Sequence, residues 1–176
     1  MRTRRRLRLG GLGAALTVVA TILLGSPASA APAGQSQTIC INTPPATGWM
    51  ITAYYDWYTC GAPGNGVYNA KKVTDVRDTP AGGSVSACQM PPPSGFYATA
   101  WSWSSSCEAS KTPNMLFNNL QTVTNLNGLP SGFSIVICGI QNAPTGWQLL
   151  AVVAAYQCVY AHGGGLGQNA VSIRKS

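Results

Sequence analysis

The chain has 176 residues, of which 45% are hydrophobic and only 9% charged, with eleven Lys and Arg against four Asp and Glu. Five of those arginines (Arg2, Arg4, Arg5, Arg6 and Arg8) precede position 9, so the rest of the chain holds six basic and four acidic side chains and is almost neutral. That excludes a broad basic face for nucleic acid, because Lys71-Lys72 and Arg174-Lys175 are the only basic pairs left.

In chain order, the first element is an export signal. The arginine cluster leads into an apolar stretch from Gly11 to Leu24 and then into Ala28-Ser29-Ala30, a small-residue cleavage site. Removal of residues 1–30 leaves a chain starting at Ala31. The apolar stretch is too short for a membrane anchor, so no membrane span is expected once the signal is gone. Residues 3–8 also fit a twin-arginine signal. General secretion fits better, because disulfides do not form well in the reducing cytoplasm where twin-arginine substrates fold. The expected location is extracellular.

Residues 31–176 read as one domain, large enough for one core and too small for three independent ones. It is built from three copies of one unit, over about 37–83, 84–133 and 134–176. Each copy places a cysteine (Cys40, Cys88, Cys138) before a Pro-rich loop that ends in a Gly-aromatic step at Trp49, Phe96 or Trp147. A second cysteine (Cys60, Cys107, Cys158) follows the aromatic residue after the same interval. A repeat at this period points to a repetitive architecture.

Three strands are predicted in each copy: 37–40, 49–59 and 70–76 in the first, 84–88, 96–104 and 120–126 in the second, and 134–138, 147–157 and 170–174 in the third. β-branched and aromatic residues bordered by Pro and Gly favour strands over helices. Asn69, Asn119 and Asn169 stand at the start of each third strand. The third strand and the next copy's first strand read as a hairpin, with Gly and Pro at 79–83 and 127–132 supplying the turn. The last copy then lacks half a hairpin that residues 37–40 supply. Pairing of the two termini would close a ring without exposed edges. The expected fold is all-β, a closed threefold-repeat ring of β-trefoil type, with a three-sheet β-prism as the alternative.

Six cysteines in an exported chain imply three disulfides. Repeat symmetry favours Cys40–Cys60, Cys88–Cys107 and Cys138–Cys158, each closing a loop worth ~3 kcal/mol in the chain-entropy description. No cofactor and no metal site is expected, since the cysteines are committed to disulfides and one histidine remains.

Catalytic groups are sparse. His162 is the only histidine and has no counterpart in the other copies; Asp56, Asp75, Asp78 and Glu108 are the only carboxylates. Nothing in their spacing assembles a triad or an acid–base pair. Asp75 and Asp78 read as solvated turn residues. The protein is therefore expected not to be an enzyme.

The aromatic residues are the remaining candidates. Strict alternation puts Trp49, Ile51 and Ala53, with Phe96, Ala98, Ala100, Trp147, Leu149 and Ala151, on a core face. Tyr54, Asp56 and Tyr58 in the first copy and Tyr97, Trp101 and Trp103 in the second fall on the opposite face. Tyr and Trp stack on sugar rings through their apolar faces, so these six are the candidate ligand-binding residues. Burial in the core is their competing explanation. In cysteine spacing the copies resemble those of ricin-type lectins, but the Gln-x-Trp signature of that family is missing, since Trp49, Phe96 and Trp147 all follow Gly.

The leading expectation is a secreted, non-enzymatic module that binds carbohydrate or a cell-surface polymer. A secreted hydrolase inhibitor using the Pro-rich loop 43–48 or 90–95 is the alternative. A structural surface protein or a small hydrolase comes third.

Overall fold

A computed structural model of the protein describes residues 34–161 and 167–176; the expected export signal and His162 lie outside the described residues. Nine strands are present among the described residues. They are β1 (Ser36–Cys40), β2 (Trp49–Tyr55), β3 (Ala70–Asp75), β4 (Ser84–Cys88), β5 (Phe96–Ser102), β6 (Leu120–Asn125), β7 (Ser134–Cys138), β8 (Trp147–Val153) and β9 (Ala170–Lys175). They make three equivalent antiparallel sheets, ordered β1-β3-β2, β4-β6-β5 and β7-β9-β8. The all-β class and the three repeated units are as the sequence indicates. All three disulfides join the expected partners, with Cα atoms 5.1–5.4 Å apart.

The connections between copies differ from expectation. Each third strand is the centre of its own sheet, so both its edges are satisfied within the copy: Val73 lies between Gln37 and Ile51. It has no free edge with which to form a hairpin with the next copy. The Pro/Gly segment serves instead as a crossover. Gly82 N–H donates to the Asn125 carbonyl, Asn125 N–H to Gly83, and Asn125 Nδ2 to the Thr79 carbonyl, which ties residues 79–83 to the next sheet. The second crossover is tied to Lys175 in the same way, through Gly132 and Phe133. β1 and β9 belong to different sheets and are not paired with each other, so the expected pairing of the termini is not made and no closed barrel forms.

The core lies between successive copies. At the first junction Met50 and Val76 pack with Ala87, Phe96 and Val123, while Ile51 and Val73 pack on the Cys88–Cys107 disulfide. The second junction repeats the arrangement: Tyr97 and Leu126 pack with Ile137, Trp147 and Ile173, and Ala98 and Trp101 pack on Cys138–Cys158. Each buried cluster joins the first copy to the second or the second to the third. Leu149, expected in the core, is 50% exposed, with no copy packed on β8 as the second copy packs on β2; its counterpart Ile51 is 8% exposed.

Two local features shape the site. The first is an extra residue in each second strand, at Thr52, Thr99 and Leu150, where the register with the central strand slips by one. Such a bulge reverses the alternation beyond it. Tyr54 pairs with Lys71 and Trp101 with Gln121, which puts both on the face that holds Ile51 and Ala98. The expected separation of Tyr54 and Trp101 from that face is thereby corrected. The second is the Gly-aromatic step, a four-residue turn closed by Trp49, Phe96 and Trp147 N–H groups donating to Ala46, Pro93 and Pro144 carbonyls. Gly48, Gly95 and Gly146 have φ of +82°, +85° and +78°, a region that glycine enters without penalty.

The second strands are also shorter than predicted. They end at Tyr55, Ser102 and Val153 and turn through 3-10 segments that carry the second cysteines. Asn69, Asn119 and Asn169 hold the residue that enters each of these segments.

Candidate functional site

The bulge at Thr99 carries Trp101 to the junction between the second and third copies. Its indole packs on the Cys138–Cys158 disulfide and meets Tyr160 edge to face, with centroids 5.6 Å apart. Tyr160 in turn lies 5.5 Å from Phe117 at a shallow 30° tilt. The loops that hold these two rings are fastened to each other. Phe117 and Ala161 form an antiparallel bridge, Asn118 N–H donates to the Tyr160 carbonyl at 2.8 Å, and Asn118 Nδ2 donates to the Val159 carbonyl. Three aromatic side chains thus form a row across the junction. Phe117 and Tyr160 remain partly open to solvent.

Trp101 stands between two adjoining concavities. One has a volume of ≈ 680 Å³ and is walled by Pro91–Pro93, Tyr97, Trp101, Gln121 and Gln141. The other, of ≈ 400 Å³, is bounded by Trp101, Ile140, Tyr160 and Asn169. Among the described residues, no charged side chain lines either concavity. The polar groups are amides and hydroxyls held by neighbours: Tyr160 Oη donates to Gln89 Oε1 at 3.0 Å, and Gln121 Nε2 donates to the Met90 carbonyl at 2.6 Å. Gln141 Nε2 donates to the Cys138 carbonyl. An aromatic floor with fixed amides and no net charge suits a neutral polyhydroxylated ligand.

Of the six residues predicted from sequence, the structure brings Tyr97 and Trp101 to this site. Tyr54 occupies the position equivalent to Trp101 at the first junction, packed beside Ile51 and the Cys88–Cys107 disulfide, where burial raises its hydroxyl pKa. Asp56 is ion-paired with Lys111 Nζ at 2.7 Å, a clasp between the first and second copies. Tyr58 is 89% exposed and touches Trp57 edge-on. Trp103 donates its indole N–H to Glu108 Oε1 at 3.2 Å, away from the groove. Phe117, Tyr160, Gln89 and Gln141 were not singled out by sequence. The repeat gives no signal for Phe117 or Tyr160, because the aligned residues at the first junction are Val67 and Ala109.

The carboxylates are each engaged locally or dispersed. Asp75 is buried rather than solvated, and its oxygens accept bonds from the Arg77 guanidinium and backbone N–H. Hydrogen bonding by Arg77 holds its carboxyl below the usual range. Glu108 accepts from Trp103 and from Asn119 Nδ2, and Asp78 is exposed. Among the described residues, no three His, Cys, Asp or Glu side chains group to hold a metal ion. No helix among them is long and apolar enough to cross a membrane. The chain matches no protein-family model, no curated protein and no solved structure.

Proposed function

We propose that the protein is a secreted, non-enzymatic binding module that takes a neutral carbohydrate, free or as part of a cell-surface polymer, in the groove at the second junction. The observation that carries this reading is the row Trp101–Tyr160–Phe117 beside an uncharged concavity with fixed amide groups. Sugar rings stack on Trp101 and Tyr160, and their hydroxyls bond the amides of Gln89 and Gln141. Disulfides and bonded loops hold these groups in place before a ligand arrives, which keeps the ordering cost of binding low.

The Pro-rich segment 90–95 favours this reading over a hydrolase inhibitor. Its Met90 sulfur accepts from Ile51 N–H and its Met90 carbonyl from Gln121, so the segment is a wall of the groove rather than a projecting loop. The test is binding of the oxidised protein to a panel of neutral glycans and cell-wall polysaccharides. Saturable binding lost in Trp101→Ala and Tyr160→Ala, with the circular-dichroism spectrum unchanged, is expected. A panel with no saturable binding would overturn the reading.

A further inference from the structure

The two ends of the stack expose the two halves of the junction that is used twice inside the chain. At each internal junction, one copy contributes the residues at the positions of Met50, Ile51 and Tyr54, or of Tyr97, Ala98 and Trp101. The following copy contributes Val85, Ala87 and the Cys88–Cys107 disulfide, or Ile135, Ile137 and Cys138–Cys158. The third copy still carries the first half, as Gln148, Leu149 and Val152 on β8. The first copy still carries the second half, as Gln37, Ile39 and the Cys40–Cys60 disulfide on β1.

Neither half is fully covered, although Val152 and Ile39 are part-buried against the internal clusters. Leu149 and Leu150 are about half exposed, at 50% and 52%. Cys40 and Cys60 are only partly buried, whereas Cys88 and Cys107 are 1% and 6% exposed. The end copies of a repeat stack ordinarily present polar outer faces. Here β8 ends the stack with two adjacent leucines. Polar exchanges fall at matching places: Gln148 replaces Met50 and Tyr97, and Gln37 replaces the Val85 and Ile135 that sit in their clusters, while Ser176 stands where Val76 and Leu126 stand at the internal junctions.

We propose that β8 of one chain docks on β1 of a second copy of this chain, continuing the internal junction head to tail. Leu149 then covers the Cys40–Cys60 disulfide as Ile51 covers Cys88–Cys107, and Gln148 meets Gln37 as an amide pair in place of an apolar contact. The interface is heterologous, so it builds open chains or a ring according to the rotation between copies. Each added copy would also present another junction groove, which raises the avidity of the assembly for a repeating polymer.

The experiment is sedimentation of the oxidised protein over a wide concentration range, with a variant blocked at each end. Leu149→Glu blocks β8 and Gln37→Glu blocks β1; both side chains are exposed in the single chain, and circular dichroism checks that folding is kept. The wild-type average mass is expected to rise at least twofold with concentration, while each variant alone remains monomeric. A mixture of the two variants is expected to form a one-to-one dimer, since each retains the half that the other lacks. A wild-type protein that stays monomeric throughout, as when another segment or partner covers these faces, would overturn the proposal. So would two blocked variants that fail to pair when mixed.

Discussion

Asn119 replaces a stretch of missing sheet with its own side chain: its Oδ1 accepts from Ser104 N–H at 2.8 Å and its Nδ2 donates to the Ser104 carbonyl at 3.0 Å. The amide thus bonds Ser104 as a neighbouring peptide would, just where β5 ends. Asn69 does the same for Trp57 and Asn169 for Ala155. The bond lets each second strand leave the sheet and turn toward its disulfide without orphaning a backbone group.

Removing this bond should destabilise the protein at every copy. Asn119→Ala leaves the Ser104 groups without their partner and Glu108 with Trp103 alone, and a loss of about 1–3 kcal/mol is expected. Denaturant unfolding measures it. Asn119→Asp should be nearly as harmful, since it keeps the acceptor but removes the donor and sets a carboxylate beside Glu108.

Gly95→Ala should cost about 1–2 kcal/mol through its backbone alone, because its φ of +85° suits glycine. A Cβ at that position would also clash with the Asn127 side-chain amide, so that side chain must move. The thermal midpoint should fall, and Gly61→Ala provides the comparison. Gly61 shares the positive φ but has open space at the Cβ position, so its loss should be smaller.

The repeat, the strands and the disulfide pairs were legible because each is written three times, so chance features of one copy are averaged away. What the copies share in three dimensions was less legible. Alternation along β5 assigned Trp101 to the wrong face because an extra residue at Thr99 leaves no mark in composition; Thr52 and Leu150 occupy the same place without a common chemistry. The order first–third–second was hidden as well. A Pro/Gly segment looks the same whether it turns a hairpin or crosses to the next sheet, and only the bonds of Thr79, Gly82 and Gly83 to Asn125 decide it. At the site, Trp101 and Tyr97 were found through their repeat positions. Tyr160 and Phe117 were missed because they lie in loops where the other copies carry Ala109 and Val67.

The disulfides should differ in accessibility although their loops are nearly equal in length. Within one chain Cys88–Cys107 and Cys138–Cys158 are covered by the preceding copy, whereas no copy covers Cys40–Cys60, a difference that holds at concentrations low enough to keep the protein monomeric. Under limiting reductant, alkylation followed by mass spectrometry should therefore label Cys40 and Cys60 first. Labelling of Cys88 and Cys107 ahead of them would contradict the stacking order.

Acid should weaken the fold in part through Asp75. Its folded-state pKa lies below the unfolded value of about 3.9, so the contribution is fully present above that value and is lost as pH falls through the folded pKa. Asp75→Asn should lower the thermal midpoint at pH 7 and flatten its decline below about pH 4. The midpoints of the two proteins should approach each other near the acid end. Parallel curves would show that Asp75 does not carry the effect.

Contact between Trp101 and the ligand can be read directly at its indole N–H. The chain has five tryptophans, Trp49, Trp57, Trp101, Trp103 and Trp147, so indole N–H resonances separate the site from the rest. Titration of a ¹⁵N-labelled sample with a glycan bound in the panel, assigned by single Trp→Phe variants, reads each position directly. A saturable shift of the Trp101 resonance is expected, with Trp49 and Trp147 unmoved. An unchanged Trp101 resonance, or a larger shift at Trp57 or Trp103, would contradict it.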